Sequence, residues 1–234
     1  MSSSTSVAAI PGKITARTAS VHIDPACNAF LGDCFRQFGI SIVPLEGDPV
    51  AVFHRQKFEG CVLRLYDPDA DRILKSARNS PSNRRMVIYG IARNTQEALR
   101  YSSYGINAVL DEPLDRQSVL KVVRATHLLV IHELRRYVRI PVMAKAEIEM
   151  GNRVLPVTTV EVSSGGMSVH CPAPLPKTDP IKLLLSLPGL DKVAVRVFVC
   201  WYRETDKVYG LRFDATDERR LKVRGWIDQY LEIV

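Results

Sequence analysis

The sequence lacks most of the features that mark catalysis, metal binding or a membrane span. No stretch approaches the ~18 apolar residues needed to cross a bilayer; Leu128–Ile131, for example, is bracketed by His127 and His132. The Ser-rich start, Met1–Pro11, has neither a basic region nor an apolar core, so it does not read as a secretory signal. Five cysteines, at 27, 34, 61, 171 and 200, form no CxxC pair, which argues against a disulfide framework or a zinc site. Cys27 and Cys34, seven apart, read as small apolar neighbours on one helix face. The histidines at 22, 54, 127, 132 and 170 have no HExxH or comparable spacing, and Ser163 lies in no GxSxG elbow. The expectation is a cytoplasmic chain with no enzymatic activity, no metal, no cofactor and no membrane insertion.

What is present is an ordinary globular composition. With 46% hydrophobic and 24% charged residues over 234 positions, the chain is long enough for two modest domains of ~100 to 150 residues. The net charge of +7 is spread over both halves, with no polycationic tail and no basic stripe. DNA binding is therefore not expected, while a local anion site stays open.

Residues 1–15 read as a loose tail running into a strand near Arg17–Ile23. Asp24-Pro25 then supplies an N-cap followed by Pro at the first helical position. Cys27, Phe30, Leu31, Cys34 and Phe38 recur at helical spacing until Gly39. Apolar runs at Ile40–Leu45, Cys61–Leu65, Met86–Ala92 and Ala108–Leu110 alternate with helix-prone stretches after Asp48-Pro49, at Asp69–Asn79 and at Thr95–Ser103. This strand and helix alternation over 16–114 predicts an α/β doubly wound parallel five-stranded sheet in flavodoxin-like order. A long connecting helix follows over 115–134. From 135 to 234 the texture changes to short β-branched segments: Val154–Val162, Met167–His170, Ile181–Leu187, Val193–Tyr202 and Val208–Phe213. They predict an all-β small antiparallel barrel closed off by an amphipathic C-terminal helix from Asp217.

The first half resembles a response-regulator receiver domain, in the order of its elements and in the Glu112-Pro113 dipeptide after the fifth strand. The resemblance implies a site that holds Mg²⁺ and phosphorylates an Asp, but its residues are missing. Asp24 stands alone where two carboxylates belong, and Arg64 or Leu65 aligns with the acceptor unless Asp67 is shifted into its place. Ile91 replaces a hydroxyl residue and Glu112 replaces the Lys. A non-phosphorylatable scaffold or dimerisation unit is expected.

The second half resembles a PilZ domain. Arg135-Arg136-Tyr137-Val138-Arg139 fits the family's RxxxR motif, and Glu161-Val162-Ser163-Ser164-Gly165-Gly166 lies where [D/N]xSxxG belongs. Tyr209-Gly210-Leu211-Arg212-Phe213 fits its later turn. The resemblance implies a receptor for the bacterial second messenger cyclic di-GMP, with Arg135, Arg136, Arg139, Glu161, Ser163, Gly165 and Gly166 at the ligand. The chemistry is apt. An arginine fork pairs with phosphate, donates to the guanine O6/N7 edge or stacks on a purine. Ser163 and Glu161 are two apart and share a strand face, and Gly165 and Gly166 let backbone N–H groups approach an anion. Glu161 departs from the family's Asp or Asn, and its extra methylene pushes the carboxylate outward. The plain alternatives are a solvated basic turn at Arg135 and Arg139 and a tight turn at Ser163–Gly166 that needs small residues with or without ligand. Trp201 and Trp226 read as core or domain-contact aromatics.

The expected function is signalling through cyclic di-GMP to an unidentified protein partner; the rival is a PilZ-family adaptor that has lost the ligand. Within 115–134, Val119, Val122, Val123, Thr126, Val130 and Leu134 form one apolar stripe, and Leu128, Leu129 and Ile131 form a second face. The surplus apolar surface points to a homodimer through this helix, with intramolecular packing as the alternative.

Overall fold

The computed structural model describes residues 14–151, 153–176 and 179–231. Most of the expected 1–15 tail lies outside these. The chain divides at Leu134/Arg135 into two units.

The first unit runs β1 (Ala16–Val21), α1 (Pro25–Arg36), β2 (Ile40–Pro44), α2 (Pro49–Arg55), β3 (Gly60–Arg64), α3 (Ala70–Asn79), β4 (Val87–Ala92), α4 (Thr95–Arg100), β5 (Ala108–Asp111) and α5 (Arg116–Tyr137). All four strand pairings are parallel, in the order β2-β1-β3-β4-β5, which is the flavodoxin-like doubly wound order. The predicted punctuation does its work. Asp24 accepts from Cys27 N at 2.9 Å, Pro25 opens α1, and Gly39 follows the helix at φ +66°. Every residue of β4 is buried, as a central strand covered on both faces must be. On α5 the stripe residues Val119, Val123, Thr126, Val130 and Leu134 are buried. Thr126 Oγ1 shares a 2.8 Å hydrogen bond with the buried Tyr89 hydroxyl. Of the second face, Ile131 is buried, Leu128 is 73% exposed and Leu129 is half exposed.

Two expectations are corrected here. Helix α5 does not stop at 134 but continues to Tyr137, so Arg135 and Arg136 sit on its last turn. A strand is also present that the sequence reading lacked, over Lys145–Met150.

The second unit continues with β6 (Ile140–Pro141), β7 (Lys145–Met150), β8 (Arg153–Ser163), β9 (Gly166–His170), β10 (Ile181–Leu185), β11 (Val193–Arg203), β12 (Val208–Phe213) and α6 (Arg220–Tyr230). The antiparallel ring β8-β7-β10-β11-β12-β9 is closed by β8–β9 pairing, and β6 adds to β8 outside the ring. Closure leaves these six strands no free edge. Ile148, Val157, Val169, Leu183, Val195, Val197 and Leu211 are buried at alternate positions along their strands. Helix α6 buries Val223, Trp226 and Ile227, and the Trp226 indole donates to the Pro188 carbonyl at 2.8 Å.

The approach to α6 is organised by Asp217. Its buried carboxylate accepts from Arg196 N (2.8 Å), from Arg219 N (3.1 Å) and from the Arg219 guanidinium (2.8 and 2.9 Å). The Arg219 contact, with the backbone donors behind it, holds this carboxyl far below the usual aspartate range. Folding favours the ionised form, so its contribution is fully present above the unfolded pKa of about 3.9 and drains as the pH falls below that toward the depressed folded value. Asp217→Asn is expected to lower the thermal midpoint at neutral pH and to flatten its decline in acid. Parallel midpoint-against-pH curves for the two proteins would contradict this role.

Candidate functional site

The outer wall of the barrel carries a pocket of about 510 Å³ whose lining includes Arg136, Arg139, Glu161, Ser163, Gly165 and Gly166. All the residues expected at the ligand therefore face one cavity, except Arg135. Strand alternation alone does not produce this. Along β8, Val157 and Thr159 are buried, and strict period two would send Glu161 inward after them. A register shift between Thr159 and Glu161 turns Glu161 out, opposite Ser168. The same device operates on β11, where a shift between Val199 and Trp201 sets Trp201 opposite Gly210. The two irregularities bring a carboxylate and an indole onto one face.

Between them the outward positions are small: Ser163, Gly166, Ser168 and Gly210. That makes the surface concave. Trp201 is 46% exposed and lies over Gly210; a Cβ there would stand 2.0 Å from the indole Cε2. This corrects the reading of Trp201 as a core aromatic. The available sequence signal was a Trp placed across a hairpin from a Gly. Arg212, also missed, lines the same wall, with its guanidinium carbon 5.3 Å from the centroid of the Phe198 ring.

The motif residues divide by task. Arg139 Nε lies 3.8 Å from Glu161 Oε1, so carboxylate and guanidinium already partner across the pocket mouth. The Ser163 hydroxyl donates to the Gly166 carbonyl at 2.9 Å and so ties its own turn. Gly166 is demanded by packing, since a Cβ would sit 2.1 Å from the Leu211 carbonyl oxygen. Gly165 has open space where a Cβ would go. Arg135 is directed elsewhere: its Nε is 2.7 Å from Asp228 Oδ1 on α6.

The first unit has a second polar cluster, at the carboxyl ends of its strands. Arg64 donates to Asp24 at 2.7 Å and lies 3.7 Å from Glu112. That guanidinium holds the Asp24 carboxyl below its usual range. The Tyr66 hydroxyl donates to Glu112 at 2.6 Å, and burial together with this bond pushes the phenol's pKa up. Beside them His22 Nδ1 is 3.0 Å from Asp67 Oδ2, and Asp69 comes within 4.8 Å of both, a His and Asp grouping that sequence spacing did not reveal. The His22–Asp67 hydrogen bond and the bond from Asp69 N to Asp67 (2.8 Å) account for the grouping without a further ligand.

The second unit is a small closed barrel with a polar, arginine-flanked pocket on its outer wall. Residues 133–231 match the family model of the PilZ domain. Over its first half the chain is similar to solved receiver domains. That of a sensor histidine kinase from Pseudomonas aeruginosa is 17% identical, with 49% of this chain and 98% of that one covered and a TM-score of 0.42. The chemotaxis response regulator CheY4 of Vibrio cholerae is 13% identical, with 48% and 98% covered and a TM-score of 0.42. A CheY-like receiver domain protein from Methanospirillum hungatei is 15% identical, with 51% and 99% covered and a TM-score of 0.43. No curated protein sequence matches the chain.

The two pocket glycines should respond differently to substitution. In Gly166→Ala the new methyl meets backbone, and a loss of about 1 to 3 kcal/mol is expected in urea unfolding of the barrel. In Gly210→Ala it meets a side chain that can swing away, so the fold should persist while acrylamide quenching of Trp201 changes. Similar stabilities for the two variants would count against the packing role of Gly166.

Proposed function

We propose that the chain is a bacterial signalling receptor that binds cyclic di-GMP in the barrel-wall pocket and passes the event to a protein partner, itself performing no reaction. The observation that carries this reading is the convergence of Arg136, Arg139, Glu161, Ser163 and Trp201 on one cavity. Its volume of about 510 Å³ falls in the ordinary range for small-molecule sites. Cyclic di-GMP presents two phosphates and two guanines. The arginines suit the phosphates and the guanine O6/N7 edges, and the exposed Trp201 face suits stacking on a purine. The first unit serves as a scaffold or dimerisation unit. Arg64 sits between Asp24 and Glu112, placing a fixed positive charge where metal and phosphoryl chemistry needs carboxylates. The exposed Leu128 and Leu129 on α5 suit pairing with a second copy.

One observation favours the rival reading of a ligand-free adaptor: Glu161 already partners Arg139. Calorimetric titration with cyclic di-GMP, beside GTP as control, separates the two. Binding is expected in the wild type, and Arg139→Ala should weaken it about 10- to 150-fold through loss of a charge-assisted bond. Tightening in Glu161→Asp would mean that the longer carboxylate costs affinity. No heat and no competition for the wild-type protein would leave the adaptor reading.

For the first unit, incubation with acetyl phosphate and Mg²⁺ should leave the intact mass unchanged. A labile gain of one phosphoryl group, abolished by Asp67→Asn, would overturn the scaffold role.

A further inference from the structure

Arg135 stands at the edge of the pocket with its guanidinium turned away. Its carbonyl accepts a hydrogen bond from Ser164 Oγ at 3.2 Å, and Ser164 lines the cavity, so the Arg135 backbone is pinned beside the Ser163–Gly166 turn. Its side chain leads in the other direction, to Asp228 near the end of α6, with Nε 2.7 Å from Oδ1. Both side chains are mostly covered, at 22% and 24% exposure, yet neither atom makes an aligned hydrogen bond. The pair is therefore held by charge and proximity. Such a contact orients the guanidinium, but a phosphate or a guanine edge offering two aligned acceptors is a better partner for the same fork. Asp228 also belongs to a helix with a separate hold on the barrel, through Val223, Trp226 and Ile227. It can lose Arg135 without α6 losing its apolar seat.

We infer that Asp228 sets the affinity of the pocket by competing with ligand for Arg135, and that α6 registers ligand binding through the loss of this ion pair. The inference rests on the pocket being a cyclic di-GMP site. It assigns Asp228 a positioning role: the residue acts on ligand only through Arg135, and α6 becomes the element whose end is released when the site fills.

Calorimetry with cyclic di-GMP on wild type, Asp228→Asn, Arg135→Ala and the double variant tests this. Asp228→Asn should bind about fivefold tighter, the scale of one partly exposed ion pair, and the gain should vanish in the Arg135→Ala background. Asp228→Glu, which keeps the charge, should restore wild-type affinity. Binding by Asp228→Asn alone would also support the inference, as a pair that closes the wild-type site. Wild type that binds while Asp228→Asn binds equally or more weakly would overturn it and leave the receptor reading standing. Absence of binding in both would overturn the receptor reading as well. Should circular dichroism show Asp228→Asn to be misfolded, amide exchange of α6 in wild type decides: faster exchange at its end with ligand supports release, and unchanged exchange overturns it.

Discussion

The barrel depends on one close backbone approach. Strand β9 is gripped between β8 and β12, and at Gly166 the place of a Cβ is 2.1 Å from the Leu211 carbonyl oxygen. A side chain there would hold β9 off β12 just where the ring has to close onto β8. Closure in turn fixes the register that puts Ser168 opposite Gly210 and Glu161 opposite Ser168. A shallow floor of small residues thus runs across three strands, and the pocket is a consequence of how the barrel shuts.

The two units handle arginine differently. In the first, Arg64 lies between Asp24 and Glu112, donating to the former at 2.7 Å, with Tyr66 donating to the latter, while the buried Arg64 Nε, 3.7 Å from Glu112, makes no hydrogen bond. The guanidinium offsets the charge of the carboxylates on either side of it. In the barrel Arg139 has a partner that is easier to exchange. Arg139 is 3.8 Å from a partly exposed Glu161, a separation and setting at which an ion pair contributes little net stability.

Much of this was legible along the chain because the signals are local. Asp24-Pro25 and Asp48-Pro49 mark helix starts through capping chemistry that needs only a few neighbouring residues. The buried apolar runs of the parallel strands announce a sheet covered on both faces. Strand β7 was missed because Lys145-Ala146-Glu147-Ile148-Glu149-Met150 uses residues that favour helices or are depleted from strands. Its Glu side chains become intelligible only beside Lys182 and Lys192, which pair with Glu149 and Glu147 across the wall.

The sequence by itself determined the alternation of elements, the two cores and the motif residues around one site, since caps, periodicity and motif spacing are properties of short segments. Tertiary structure alone decided which way those residues point. Register shifts on β8 and β11 reverse the alternation at Glu161 and Trp201, and a shift of this kind arises only when a strand meets a partner whose hydrogen-bonding groups it must match. Arg135 was likewise assigned to ligand by its motif and given to Asp228 by the folding of α6, because a long charged side chain takes whichever partner the completed fold brings nearest.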